Sequence, residues 1–198
     1  MTAETKSHPM SRPDDEPSVA RASGIAPRVP LLRDIYDAHG GYVWNTLRRL
    51  GVRERDLEDV VQELFLSVYK RLDDYDVSRP LRPWLFGFAF RTAAAYRARA
   101  GHKREIVDDR VEIVDDAPAV DEQLDTERRR SLVNAALGAI ELDRRAVFVM
   151  HEIDGCTIPE VSAALGIPLN TAYSRLRLAR DEFAKAVHRL QLRRGGTR

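Results

Sequence analysis

With one cysteine in 198 residues, the chain can form neither an internal disulfide nor a cysteine-rich zinc site, a usage that fits a cytoplasmic protein. No apolar run approaches the roughly 18–20 residues needed to cross a bilayer. The opening stretch MTAETKSHPMSRPDDEPSV lacks the apolar core of a secretory signal. There is no HExxH, no P-loop and no other glycine-rich phosphate loop. His151 and Cys156 are close enough in sequence to suggest a nucleophile or a metal site, but no second cysteine joins them. One lies near a helix end and the other just after it, where structural roles are expected. No catalytic residue, metal ligand or cofactor is therefore expected.

Net charge is also nearly absent, at +1, but the charges are segregated. Residues 105–127 hold ten acids against Arg110 alone. Fourteen Lys/Arg face ten Asp/Glu between Pro30 and Arg104, and thirteen face seven from Arg128 onward. Two basic bodies joined by an acidic tether are thus expected. Basic bodies suit a phosphate backbone, although ordinary surfaces carry similar excesses. With 43 % hydrophobic and 32 % charged residues, the composition suits a folded, helix-rich chain of one ordinary domain or two small ones.

Residues 1–29, rich in proline, serine and charge, are expected to be a disordered tail. Helical spacing runs from Leu31 to Leu50, interrupted at Gly40-Gly41 and closed by Gly51. From Asp56 to Leu72 the pattern Leu57, Val60, Val61, Leu64, Phe65, Val68, Tyr69, Leu72 predicts an amphipathic helix. Its other face carries Glu58, Asp59, Gln62 and Glu63, which by themselves read as a solvated surface or as a docking face. Asp73–Pro83 has the turn residues of a loop, and a helix is expected over Trp84–Ala100. Along that helix, aromatics (Trp84, Phe86, Phe88, Phe90, Tyr96) interleave with Arg91, Arg97 and Arg99. Stacking faces beside phosphate-binding cations are the chemistry of a single-strand binder. Phe88 and Tyr96, on the apolar face, are assigned to the core. After the tether, helices are expected over Arg128–Ile140 and Asp143–Ile153, with Asp143 as cap and Asp154-Gly155 as the stop.

Thr157–Arg180 carries the strongest pattern. Thr157 and Glu160 have capping-box spacing, and Pro159 sits in the first turn, where its missing N–H costs nothing. Gly166 ends that helix and Ile167 plugs the angle to the next. Asn170 or Thr171 is expected to cap the second helix, whose Ala172, Leu176, Ala179 and Phe183 face inward. Ala164 and Ala172 are small where the two helices would cross. Tyr173, Ser174, Arg175, Arg177 and Arg180 are left outward. This is the layout of a helix-turn-helix that reads duplex DNA. Arg175 and Arg177 are expected to read guanine, at roughly 1–3 kcal/mol per bidentate contact. A response-regulator output domain shares such a hairpin, but it would follow a phosphoacceptor or ligand domain rather than an all-helical basic body.

Taken together, the blocks Asp56-Leu-Glu-Asp-Val-Val-Gln-Glu-Leu-Phe65, Leu81-Arg-Pro-Trp-Leu-Phe-Gly-Phe-Ala89 and Thr157–Arg180 resemble the extracytoplasmic-function (ECF) sigma factors of the sigma-70 family. The resemblance implies an all-α fold of two small domains joined by an acidic linker. Region 2 would occupy 30–104, the linker 105–127 and region 4 128–192, with a basic tail at 193–198. It implies binding to core RNA polymerase, at the β′ clamp helices through Asp59, Gln62, Glu63 and Leu64 and at the β flap. It implies −10 recognition and melting through Asp74, Tyr75, Arg79, Arg82, Trp84, Arg91, Arg97 and Arg99. It implies −35 recognition of promoter DNA through Asn170, Thr171, Tyr173, Ser174, Arg175, Arg177 and Arg180. An anti-sigma protein is a further implied partner. Arg91 replaces an asparagine common in the family, and Tyr173 and Leu178 replace residues that are often basic. The promoter sequence therefore does not carry over.

Overall fold

A single apolar stripe per helix organises the chain. The computed structural model describes residues 30–104 and 121–195, so the expected tail, the tether up to residue 120 and the last three residues lie outside the described residues. Among the described residues there are seven α-helices and no strand, and no helix is long and apolar enough to cross a membrane. In the N-terminal half, α1 (Leu32–Arg49), α2 (Leu57–Tyr69) and α3 (Leu81–Arg104) pack pairwise. Leu57, Val60, Val61, Leu64, Phe65 and Val68 turn inward from α2, as their spacing predicts. They meet Val43 and Leu47 of α1 and Leu85, Phe86 and Ala89 of α3. Isolated helices of this length are marginal in water, so burial of the stripe supplies most of their stability.

The C-terminal half comprises α4 (Asp121–Gly138), α5 (Leu142–Phe148), α6 (Ile158–Leu165) and α7 (Leu169–Gly195). α5 continues as a π-helical turn over Val149–Ile153. Ala146, Val147 and Met150 pack on Ala172, Leu176 and Ala179, and the Phe148 and Phe183 rings lie 4.8 Å apart.

Several local expectations need correction. α1 runs through Gly40-Gly41 without a break. α3 begins at Leu81, because Pro83 falls in its first turn, where proline fits. α4 starts at Asp121, seven residues before the expected Arg128, so the end of the acidic stretch is helical. Glu141, not Asp143, caps α5 by accepting from the Asp143 backbone N–H. α7 starts at Leu169, which puts Asn170 and Thr171 inside its first turn.

The two halves do not merely share a linker; they meet along a seam with a continuous apolar core. The Tyr42 hydroxyl donates to Asp154 Oδ2 at 2.8 Å, and Arg49 stands 3.7 Å from the same carboxylate. Gly51 ends α1 with φ 97°, which a side chain would strain, and a Cβ there would lie 2.7 Å from Arg145 Nη1. Burial raises the pKa of Asp154 and that of its donor Tyr42.

Within the N-terminal half, Tyr96 of α3 is tied to the start of α2. Its hydroxyl donates to Asp56 Oδ2 at 2.5 Å and accepts from Arg53 Nε at 2.8 Å. Tyr96→Phe should cost about 1 kcal/mol at neutral pH, read by urea unfolding. The Tyr96 hydroxyl, followed by Arg53, holds the Asp56 carboxyl below its usual range. Such a group contributes stability above its unfolded pKa and loses it as pH falls through the folded value. The deficit of the variant should therefore shrink below about pH 4. An equal deficit at both pH values would show that the hydroxyl does not act on Asp56.

Candidate nucleic-acid interface

The chain between α2 and α3 is shaped before any ligand arrives. A 3₁₀ turn over Leu72–Asp74 leads into a loop that its own side chains hold. Asp76 accepts from the backbone N–H and hydroxyl of Ser78, at 3.0 and 2.6 Å, which lowers its pKa. Arg79 pairs with Asp76 at 3.2 Å and Arg71 with Asp74 at 3.1 Å. Tyr75 donates to the Arg79 carbonyl at 2.6 Å and leans on Trp84, with centroids 4.9 Å apart.

Trp84, Phe88 and Arg91 fall at i, i+4 and i+7 and so share one face of α3. Trp84 meets Phe88 edge-on at 4.8 Å, and the Arg91 guanidinium lies 4.7 Å over the Phe88 ring. Partial burial lowers the pKa of Arg91. Loop and helix face together line a cleft of about 1050 Å³. Its far wall is α6, through Pro159, Glu160, Ala163 and Ala164.

Of the residues expected at a melted strand, the cleft brings together Asp74, Tyr75, Arg79, Trp84 and Arg91. Three are directed elsewhere. Arg82 lies over the Tyr42 ring at 5.4 Å, toward the seam. Arg97 lies near Gly51 and Arg145, and Arg99 makes a two-pronged contact with Glu63, at 2.8 and 3.2 Å. Lys70, Arg71 and Phe88 line the cleft although the sequence reading did not place them there. Phe88 is as buried as expected, yet its ring sits between Trp84 and Arg91. Gly87 also lines the cleft, and an isolated glycine inside a helical pattern was the signal available for it.

On α2, Asp59 and Gln62 are exposed and Glu63 is half-buried. Leu64 is fully buried, so it offers no surface to a partner; it belongs to the core stripe. The exposed apolar residues next to this face are Leu66 and Tyr69.

In the helix-turn-helix, both arms of the capping box form, with the Thr157 backbone N–H donating to Glu160 at 2.7 Å. Gly166 takes φ 65°, and the Ser162 hydroxyl donates to the Ile167 carbonyl at 2.6 Å, pinning the turn. Ala172 is buried against its neighbours, but Ala164 faces α3, where its carbonyl meets Gly87. Asn170, Tyr173, Ser174 and Arg177 are exposed on α7, and Thr171 is half-buried. Arg175 turns inward instead, to Asp143 of α5 at 2.6 Å. Arg180 pairs with Glu152 at 2.6 Å. His151 Nδ1 lies 2.8 Å from the Cys156 carbonyl, and burial pushes the Cys156 thiol up to about 11.

The description "Sigma-70 region 2" matches residues 35–103, and "Sigma-70, region 4" matches 130–183. This chain belongs to the sigma-70 family, in its ECF branch. It is thus an RNA polymerase sigma factor, similar along most of its length to others of that kind. The sigma factor CnrH of Cupriavidus metallidurans is 26 % identical over 181 residues, 87 % of this chain and 94 % of that one. The ECF sigma factor SigE of Mycolicibacterium smegmatis is 28 % identical over 178 residues, 86 % and 68 % of the two chains. Among solved structures, CnrH in complex with the cytosolic domain of CnrY superposes with TM-score 0.56 at 25 % identity, covering 79 % and 87 %. The sigma factor RpoE of Bartonella quintana, in complex with the anti-sigma factor NepR, shares the fold with TM-score 0.60 at 18 % identity, covering 79 % and 96 %.

The Arg175–Asp143 pair makes a prediction for this sigma factor. Arg175→Ala and Asp143→Ala should each cost up to about 1 kcal/mol of stability, and the double variant little more than one of them. Strictly additive losses in thermal unfolding would show that the two do not interact.

Proposed function

We propose that this sigma factor docks on core RNA polymerase, reads a −35 duplex with α7 and captures the melted −10 strand in the cleft between α2 and α3. The observation that carries the reading is the joint stripe Trp84–Phe88–Arg91 beside a pre-shaped loop. Stacking surface and cation converge there on a space that suits an unpaired base. A base turned out of the duplex costs a few kcal/mol of unstacking, which contacts with Trp84, Tyr75 and the Arg79 and Arg91 cations would offset. On this reading, residues 30–104 act as region 2 and 128–192 as region 4. The acidic stretch between them threads a positively charged channel of the enzyme.

Asp59 and Gln62, with Glu63, form the docking face for the β′ clamp helices, and region 4 meets the β flap. Asn170, Tyr173, Ser174 and Arg177 face the major groove. Arg175 holds the recognition helix in place through Asp143, so Arg177 carries the larger share of base reading. Promoter engagement places the chain in the cytoplasm. An anti-sigma protein would hold it inactive by covering these faces; the complexes of CnrH with CnrY and of RpoE with NepR support that expectation.

Purified chain mixed with sigma-free core polymerase should start transcription at one class of promoter. Absence of core binding would refute the reading outright. Arg177→Ala should weaken binding of the holoenzyme to that promoter by roughly 1–3 kcal/mol and relax preference at one −35 position. Asp59→Ala should weaken core binding without changing the melting temperature of the free chain. An unaltered base preference in Arg177→Ala would remove that residue from the reading set.

A further inference from the structure

Apolar side chains left in water on a folded helix call for a reason when they cluster. On α7 the inward line is Ala172, Leu176, Ala179 and Ala186. Positions 169, 170, 173, 174 and 177 fall at i, i+1, i+4, i+5 and i+8. At 3.6 residues per turn they form one contiguous strip away from that line. All five residues are exposed. The strip is poor in charge: Arg177 is its one cation, while Arg175 is engaged by Asp143 and Arg180 by Glu152. Ser174 turns its hydroxyl proton back to the Thr171 carbonyl at 3.0 Å, which leaves its oxygen only as an acceptor. The larger surfaces on the strip are apolar. Leu169, the first residue of the helix, is 43 % exposed, and Tyr173, one turn later on the same side, is 54 % exposed.

We propose that Leu169 and Tyr173 read thymine methyl groups in the −35 duplex, so that this chain selects an element with thymine beside the guanine taken by Arg177. The proposal rests on the reading of α7 as the major-groove helix given above, and it adds Leu169 to that reading. The C5-methyl of thymine is the apolar group that a base pair presents in the major groove, and it also tells which strand carries the thymine. A cation or an amide on the strip finds hydrogen-bonding partners on guanine or adenine, whereas a leucine side chain finds only that methyl. Contact releases water from both apolar surfaces and is favourable without any hydrogen bond. The Tyr173 ring adds flat apolar area at small entropic cost, since only two torsions need to be fixed. Both residues lie near the start of α7, the part of a recognition helix that meets base edges. Packing does not account for them, because neither belongs to the core that Ala172, Leu176 and Ala179 help to build.

Deoxyuridine isolates the methyl, because it keeps every hydrogen-bonding group of thymidine. Holoenzyme assembled from this chain and core polymerase first selects a promoter from a random duplex library. The thymines of its −35 element, on either strand, are then replaced by deoxyuridine one at a time. At one or two positions the replacement should weaken binding roughly fourfold, the scale of one buried methyl. Leu169→Ala and Tyr173→Ala should each weaken binding to the thymine duplex by a similar factor. At the position it reads, each variant should then bind thymine and deoxyuridine duplexes alike. Tyr173→Phe should keep the discrimination, since the hydroxyl has no part in it. Both residues are exposed, so the variants should unfold at the same temperature as the unaltered chain. Deoxyuridine tolerated at every −35 position would overturn the proposal, as would a selected element without thymine. A penalty that persists in both alanine variants would assign the methyl contact to other residues and overturn it equally. Affinity that survives scrambling of the whole −35 element would refute the duplex-reading role of α7 itself. Sensitivity to scrambling without sensitivity to deoxyuridine would confine the failure to the methyl contacts.

Discussion

A buried guanidinium holds the C-terminal half in register and joins it to the other half. Arg145 is 2 % exposed, and among the described residues its hydrogen bonds go to backbone carbonyls rather than to a carboxylate. Such a charge is tolerable only if its donors are satisfied. It donates to the Gly138 and Ile140 carbonyls at the end of α4, where the last turn of a helix leaves acceptors unpaired and negative potential accumulates. Burial and the nearby Arg97 nonetheless lower its pKa to about 10. The turn between α4 and α5 is thereby set. The same side chain covers Gly51, so the end of α1 must come close without a Cβ. α5, placed in this way, then packs on α7 through its apolar face.

The candidate contact residues are partly occupied by the chain itself. Arg99 holds Glu63, Arg175 holds Asp143, and Arg180 holds Glu152. Exposed pairs of this kind contribute at most about 1 kcal/mol, so a phosphate or a polymerase side chain can displace one partner at little cost. Arg175 is the exception in degree, being three-quarters covered and bonded at 2.6 Å. It behaves as part of the scaffold, whereas Arg177, two residues on and so on the other side of the helix, is exposed and free to reach DNA. The Arg99–Glu63 pair also links the face expected to bind polymerase to the helix expected to lie on the strand.

Much of this was legible because it depends on neighbours in sequence. The capping box at Thr157–Glu160, the left-handed Gly166 and the left-handed Gly51 need only a few adjacent residues and their backbone angles. The α2 stripe was legible because its period is that of the helix, and the same stripe already placed Leu64 inward. Assigning Leu64 to polymerase on resemblance overrode that period. Helix ends were read less well. Pro83 reads as a loop residue but is equally at home in a first turn, and Asp143 reads as a cap although α5 begins one residue before it. The Asp143 carboxylate instead meets Arg175, thirty-two residues away.

The sequence alone determined the helical class, the faces that must be buried, the helix-turn-helix and the family, since each rests on local periodicity or on short motifs. Only the tertiary structure decided how the halves meet. Gly87 and Ala164 lie seventy-seven positions apart, and no pattern in either helix declares the other. Which arginines remain free was likewise decided by acids brought up from distant helices. The cleft between α2 and α3 belongs to both accounts: its stacking residues could be read from spacing, while the α6 wall that faces it could not.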